Sequence, residues 1–77
     1  MTLTPAQCRA ARRLLSLSRE ELAAAVDISP LKLAAFEAGM LTLSEPKRTI
    51  LRNALELAGI EFGRVGAVRL KLPEPAA

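Results

Sequence analysis

The sequence predicts a small, mainly α domain, four helices followed by a C-terminal β-hairpin, and three observations carry that expectation. Between residues 5 and 58 apolar residues recur three or four apart, the period of a helix that buries one face. Helix-start signals interrupt the stretch at Thr4, Ser18, Ser29 and Ser44 or Glu45, dividing it into four segments. From residue 60 the period falls to two on either side of Gly63-Arg64-Val65-Gly66, which reads as a hairpin.

The first helix is expected over 5–15. Thr4 and Gln7 have the spacing of a capping box, and Pro5 occupies the first helical position, where its missing N–H costs nothing. Cys8, Ala11 and Leu15 share one face with Leu14 beside it, and Arg9 and Arg13 lie away from that stripe. Arg12 falls near the apolar face, where a charge needs a partner.

Residues 17 to 39 organise the rest of the chain. Ser18 and Glu21 form a second capping box, with Leu17 and Leu22 placed as a hydrophobic staple. A helix over 19–26 buries Leu22, Ala23 and Val26, and Asp27 can leave it through a left-handed conformation. Ser29 caps the next helix, 30–38, with Pro30 at its first position, Ile28 and Leu33 repeating the staple, and Leu33 and Phe36 facing inward. Gly39 fits the position just past the end. Two short helices joined by a turn of about three residues form a helix-turn-helix arrangement.

Met40 to Leu43 is too short and apolar for a free linker, so Leu41 and Leu43 are expected to turn inward. The fourth helix, 45–58, carries Pro46 in its first turn and an inward stripe of Ile50, Leu51, Ala54, Leu55 and Ala58, and Gly59 ends it. Residues 1–59 thus form the helical domain and 60–72 the hairpin. In the hairpin Ile60, Phe62, Val68, Leu70 and Leu72 alternate with Glu61, Arg69 and Lys71. Residues 73–77 read as a disordered tail. An isolated hairpin is marginal in water, so this one must pack on its own helices, the preferred outcome, or pair its edge with another copy.

Composition narrows the function classes. The 77 residues carry a net charge of +3, no His and one Cys. A disulfide framework is impossible within the chain, and a metal site would need carboxylates alone, so no metal or other cofactor is expected. One unpaired Cys suits a reducing cytoplasm. No secretory signal pattern or membrane-length apolar run is present. An enzyme is not expected: Cys8 lies on the core face with no base in view, and Glu20 and Glu21 suit a helix start rather than acid–base work. Gly63-x-x-Gly66 is a turn and not a phosphate loop. The positive balance permits an anionic partner.

The stretch LSREELAAAVDISPLKLAAFEAG resembles the helix-turn-helix core of the phage repressor-like (Cro/C1-type, xenobiotic-response-element) family. The marks are Leu17-Ser18, Glu21-Leu22-Ala23, Ile28-Ser29 and Phe36-Glu37-x-Gly39, and the similarity extends from Thr4 to about Ala58. The resemblance implies a transcriptional regulator that binds double-stranded DNA, commonly as a homodimer reading two half-sites. It implies that Arg12 and Glu37 form an internal ion pair, making both scaffold rather than site. It places the third helix in the major groove and the start of the second on the backbone. The DNA-binding residues implied are Ser18, Arg19, Ser29, Pro30, Leu31, Lys32, Ala35, Thr42 and Lys47, with Arg48 a further candidate for a phosphate.

The sequence also departs from that family. Its reading positions are commonly Gln, Asn, Ser, Thr or Arg, whereas this helix offers Pro30, Leu31, Ala34, Ala35 and Ala38, with Lys32 the one strong donor. Small apolar side chains touch a thymine methyl but make no bidentate bonds to base edges. The basic segment usual after the helix is replaced by Met40-Leu41-Thr42-Leu43. A rival reading follows, in which the apolar face of the third helix docks on a protein, such as another regulator or the transcription machinery.

Overall fold

The structure is a computed structural model that describes residues 3–71, apart from the Val65 side chain. Four helices, α1 (Pro5–Leu14), α2 (Arg19–Ala25), α3 (Pro30–Glu37) and α4 (Glu45–Leu57), precede an antiparallel hairpin of β1 (Ile60–Phe62) and β2 (Val68–Leu70). The mainly α class with a C-terminal hairpin is therefore observed. Leu72 and the segment 73–77, read above as the hairpin's end and a disordered tail, lie outside the described residues.

Local chemistry accounts for where the helices start. The Thr4 hydroxyl accepts the Gln7 N–H at 3.1 Å while the Gln7 side chain accepts the Thr4 N–H at 2.9 Å. Ser18 and Glu21 repeat this reciprocal pair at 3.0 and 2.9 Å. Ser29 accepts the Lys32 N–H at 3.1 Å, and with Lys rather than Glu at that third position no return bond forms. Ser44 is the N-cap of α4 by backbone conformation, yet its side chain makes no capping bond.

The helix ends share one device. Each helix stops one residue short of its sequence expectation, because Leu15, Val26, Ala38 and Ala58 are the capping residues. After α1, α2 and α3 the next residue takes a left-handed conformation: Ser16 at φ 56°, Asp27 at φ 55° and Gly39 at φ 77°. The following N–H then reaches back five residues, Leu17 to the Arg12 carbonyl, Ile28 to Ala23 and Met40 to Ala35, the bond that typifies a Schellman termination. Asp27 and Gly39 were expected there; Ser16, an uncommon residue for that conformation, was not.

The core is aliphatic. Cys8 and Ala11 of α1, Leu22 and Ala23 of α2, Leu33 and Phe36 of α3, and Leu51 and Leu55 of α4 meet in one cluster, completed by Leu3, Val26, Ile28, Leu43 and Ile60. Two expectations are corrected. Ile50 and Ala58 are exposed rather than part of the inward stripe of α4, because the helix meets the core through the narrower line of Leu51 and Leu55, with Ala54 half-buried. Leu41 is exposed while Leu43 is buried, so only the second of the two turns inward, where it joins the core beside α4.

The hairpin packs on its own domain, β2 against α1 and β1 against α4. Ile60 pairs with Leu70 and Phe62 with Val68 on one face, and Glu61 with Arg69 on the other. That second face carries an ion pair, Arg69 Nε donating to Glu61 at 3.0 Å. The Arg52 guanidinium of α4 lies 4.9 Å from the centre of the Phe62 ring, a cation–π contact that ties β1 to the helix. The connection is a 3-10 turn at Arg64–Gly66, closed by Gly63 N–H to the Ala67 carbonyl at 2.8 Å.

Candidate functional site

Two groups of predicted site residues separate in the structure, one held in the interior and one open on the surface. The interior group centres on Glu37, the last residue of α3, whose side chain is 1% exposed. Arg12 meets it in a two-pronged pair, Nε to Oε2 at 2.9 Å and Nη2 to Oε1 at 3.1 Å. The remaining Arg12 prong, Nη1, donates to the Leu17 carbonyl at 3.1 Å, so one guanidinium joins α1, the α1–α2 link and the end of α3. Fork-on-fork pairing is the strongest form of ion pair, and it compensates part of the cost of taking both charges out of water.

Three further residues converge on Glu37, two on its carboxylate and one on its backbone carbonyl. Cys8 donates its Sγ–H to Oε2 at 3.5 Å. Arg19 donates Nε to Oε1 at 3.1 Å. Arg9 donates Nη1 to the backbone carbonyl of Glu37, where a helix end leaves acceptors free. Arg9, read in the sequence as lying away from the buried stripe, is thus engaged in the same cluster. The signal was its spacing: residues 9 and 12 stand three apart and project to neighbouring positions on one helix.

These contacts set the protonation states. Burial alone would raise the Glu37 carboxyl, but the hydrogen bonds from Arg12 and Arg19, the Arg12 charge and the Cys8 hydrogen bond outweigh it and hold the group below the usual carboxylate range. Burial, followed by the neighbouring Glu37 charge, pushes the Cys8 thiol up to about 12. The hydrogen bond to Glu37 raises the Arg12 guanidinium further, so it stays charged at any working pH. At the start of α2, the bonds from the Ser18 backbone and hydroxyl lower the Glu21 carboxyl.

The surface group occupies the outward side of α3 and the neighbouring helix starts. Leu33, Phe36 and Glu37 fasten α3 to the interior, while Pro30, Leu31 and Lys32 are exposed and Ala34 and Ala35 half-buried. Leu31 is 85% exposed and Met40, just past the helix, 84%. Ser29, Thr42 and Lys47 are exposed and Ser18 is half-buried. The Lys32 and Lys47 ammonium groups have no protein partner among the described residues. Arg48 is half-buried, with its Nε closed off from solvent and unpartnered, which sets it apart from the open cations.

Arg19 belongs to both groups, since it is paired with Glu37 yet its side chain is 48% exposed. No cluster of three or more His, Cys, Asp or Glu that could hold a metal occurs among the described residues. No helix among them is long and apolar enough to cross a membrane.

Comparison with known proteins leaves the assignment to this geometry, for no family model matches the chain and no curated protein is similar to it in sequence.

Proposed function

We propose that this chain is a DNA-binding transcriptional regulator that lays α3 in the major groove and acts in the cytoplasm as a homodimer. The observation that carries the reading is the two-sidedness of α3. Its inner side is locked by Leu33, Phe36 and the Glu37 ion pairs, while Pro30, Leu31 and Lys32 stand clear of the protein. A helix held rigidly from behind and bare in front is what reading a groove requires. Arg19, Lys32 and Lys47 supply the cations for phosphates. Leu31 and Ala35 supply methyl contacts to thymine, and DNA shape carries the remaining selectivity.

A second reading is favoured by the same helix. Leu31 and Met40 are large, apolar and almost fully exposed, a combination that marks protein contact where it is contiguous. Salt separates the two. Three neutralised phosphates per copy give a slope of about 2.7 in log affinity against log salt. That predicts about a 40-fold loss per copy between ~50 and ~200 mM salt, and roughly three orders of magnitude for a two-copy complex. The test is retention of genomic DNA fragments at those two salt concentrations, followed by sequencing. Steep salt dependence with an enriched, two-fold symmetric sequence supports the DNA reading. Weak, unenriched retention overturns it in favour of protein docking.

A further inference from the structure

Glu37 attracts more donors than its own neutralisation requires. Arg12 alone covers both carboxylate oxygens, Nε on Oε2 and Nη2 on Oε1. Arg19 nevertheless places its Nε 3.1 Å from Oε1 and stays half-exposed. A guanidinium carries five N–H donors, and this bond uses one, leaving the four on Nη1 and Nη2 without a protein partner among the described residues. Fixing Nε orients the plane of the whole group, because the guanidinium is rigid beyond that atom.

We infer that Glu37 is a positioning residue for Arg19. It is a buried carboxylate that touches no ligand but holds the Arg19 guanidinium so that its Nη edge is presented to a backbone phosphate of DNA. The inference rests on the DNA-binding reading and deepens it. An untethered arginine must lose its side-chain freedom when it meets a phosphate; a tethered one has lost most of that freedom in the folded protein. The arrangement needs arginine in particular. A lysine has a single ammonium on a flexible stem, which can sit on Glu37 or reach a phosphate but has no second, oriented set of donors.

Arg19→Lys is therefore the informative variant, compared with Arg19→Ala and the unchanged chain. Neither endangers the fold, because Arg12 still covers Glu37, and equal thermal midpoints check this. Affinity for the retained DNA is measured from ~50 to ~200 mM salt. Arg19→Ala should lose affinity and reduce the salt slope by about 1 per copy. Arg19→Lys should keep the slope, since its charge still displaces a counterion, but run parallel to the unchanged chain at about fivefold weaker affinity per copy. A merely structural role for Arg19 would produce no such split between slope and offset. If Arg19→Lys binds as tightly as the unchanged chain, charge alone suffices and the positioning role is overturned while DNA binding stands. If Arg19→Ala binds unchanged, Arg19 is no contact and the role is likewise overturned. If the unchanged chain retains no DNA, both readings fall.

Discussion

Glu37→Ala tests how much of the domain depends on one buried carboxylate. The substitution leaves Arg12, whose side chain is 12% exposed, with a single remaining bond to the Leu17 carbonyl and no counter-charge. Removing one partner of a buried pair typically costs about 3–5 kcal/mol, because the other charge stays desolvated. The lower half of that range applies, since Arg12 keeps some access to water, Arg19 can swing into solvent and Arg9 holds a backbone carbonyl that survives the change. A single core in a chain of this size rarely supplies more than about 3–5 kcal/mol in total. The variant should therefore be largely unfolded at about 25 °C, as read by circular dichroism and urea titration. Replacing both partners, Arg12→Met with Glu37→Leu, removes the stranded charge and should restore stability to within ~1 kcal/mol of the unchanged chain. A cost below ~1 kcal/mol for Glu37→Ala, or a double variant no more stable than the single one, would refute the reasoning.

The pH dependence has a defined sign. Glu37 has a depressed folded value, so its contribution is fully present above the unfolded glutamate value of about 4.3 and is lost as pH falls through the depressed one. Urea midpoints should hold steady from neutral pH to about 5 and fall below that, and the Arg12→Met, Glu37→Leu variant should fall less. Cys8, buried and with its thiol pushed up to about 12, should react with iodoacetamide at pH 8 about a hundredfold or more slower than in urea, the limit being set by global unfolding. Gly39→Ala meets nothing within 4 Å, so its cost is the left-handed backbone alone, about 1–2 kcal/mol or roughly 4–16 °C in thermal midpoint, with Gly39→Asn less affected. Leu31→Ala should leave stability within ~0.5 kcal/mol, since the side chain lies outside the packing, while changing which DNA sequences are retained.

Much of the fold is written in short-range chemistry. The Thr4–Gln7 and Ser18–Glu21 boxes are three-residue patterns whose partners are set by helical geometry, so reading them requires no knowledge of the rest of the chain. Asp27 and Gly39 are legible as left-handed exits for the same reason, since glycine lacks the Cβ that clashes there and the short polar side chain of aspartate tolerates it better than most. The placement of Arg12 on an apolar face announces a partner. That the partner is Glu37 was implied by resemblance rather than by spacing, and the two are joined in the structure.

The positions misread are those where an apolar residue had more than one place to go. Ile50 fits the periodicity of an inward stripe as well as Leu51 does, but a helix covers only as much of its own face as its neighbours are wide, and α4 is covered along Leu51 and Leu55. Leu41 and Leu43 are the same residue type two apart in a connection without regular structure, so no period says which of them is buried, and Leu43 is the one that joins the core. Arg9 reads as lying away from the buried stripe and Arg19 as a phosphate contact. The spacing of Arg9 from Arg12 places those two side by side, but no local pattern predicts that either Arg9 or Arg19 meets a residue 28 or 18 positions away.

By itself, then, the sequence determined where helices begin and end, which residues turn the chain, and that a charge on the inner face of α1 needs an answer. Those features depend on interactions within about five residues and on the period of burial. Only the tertiary structure decided that one residue at the end of α3 gathers Arg12, Arg19 and Cys8 on its carboxylate and Arg9 on its backbone carbonyl, and that the hairpin lies on its own helices. Those outcomes depend on the directions in which three helices cross, which no single segment encodes.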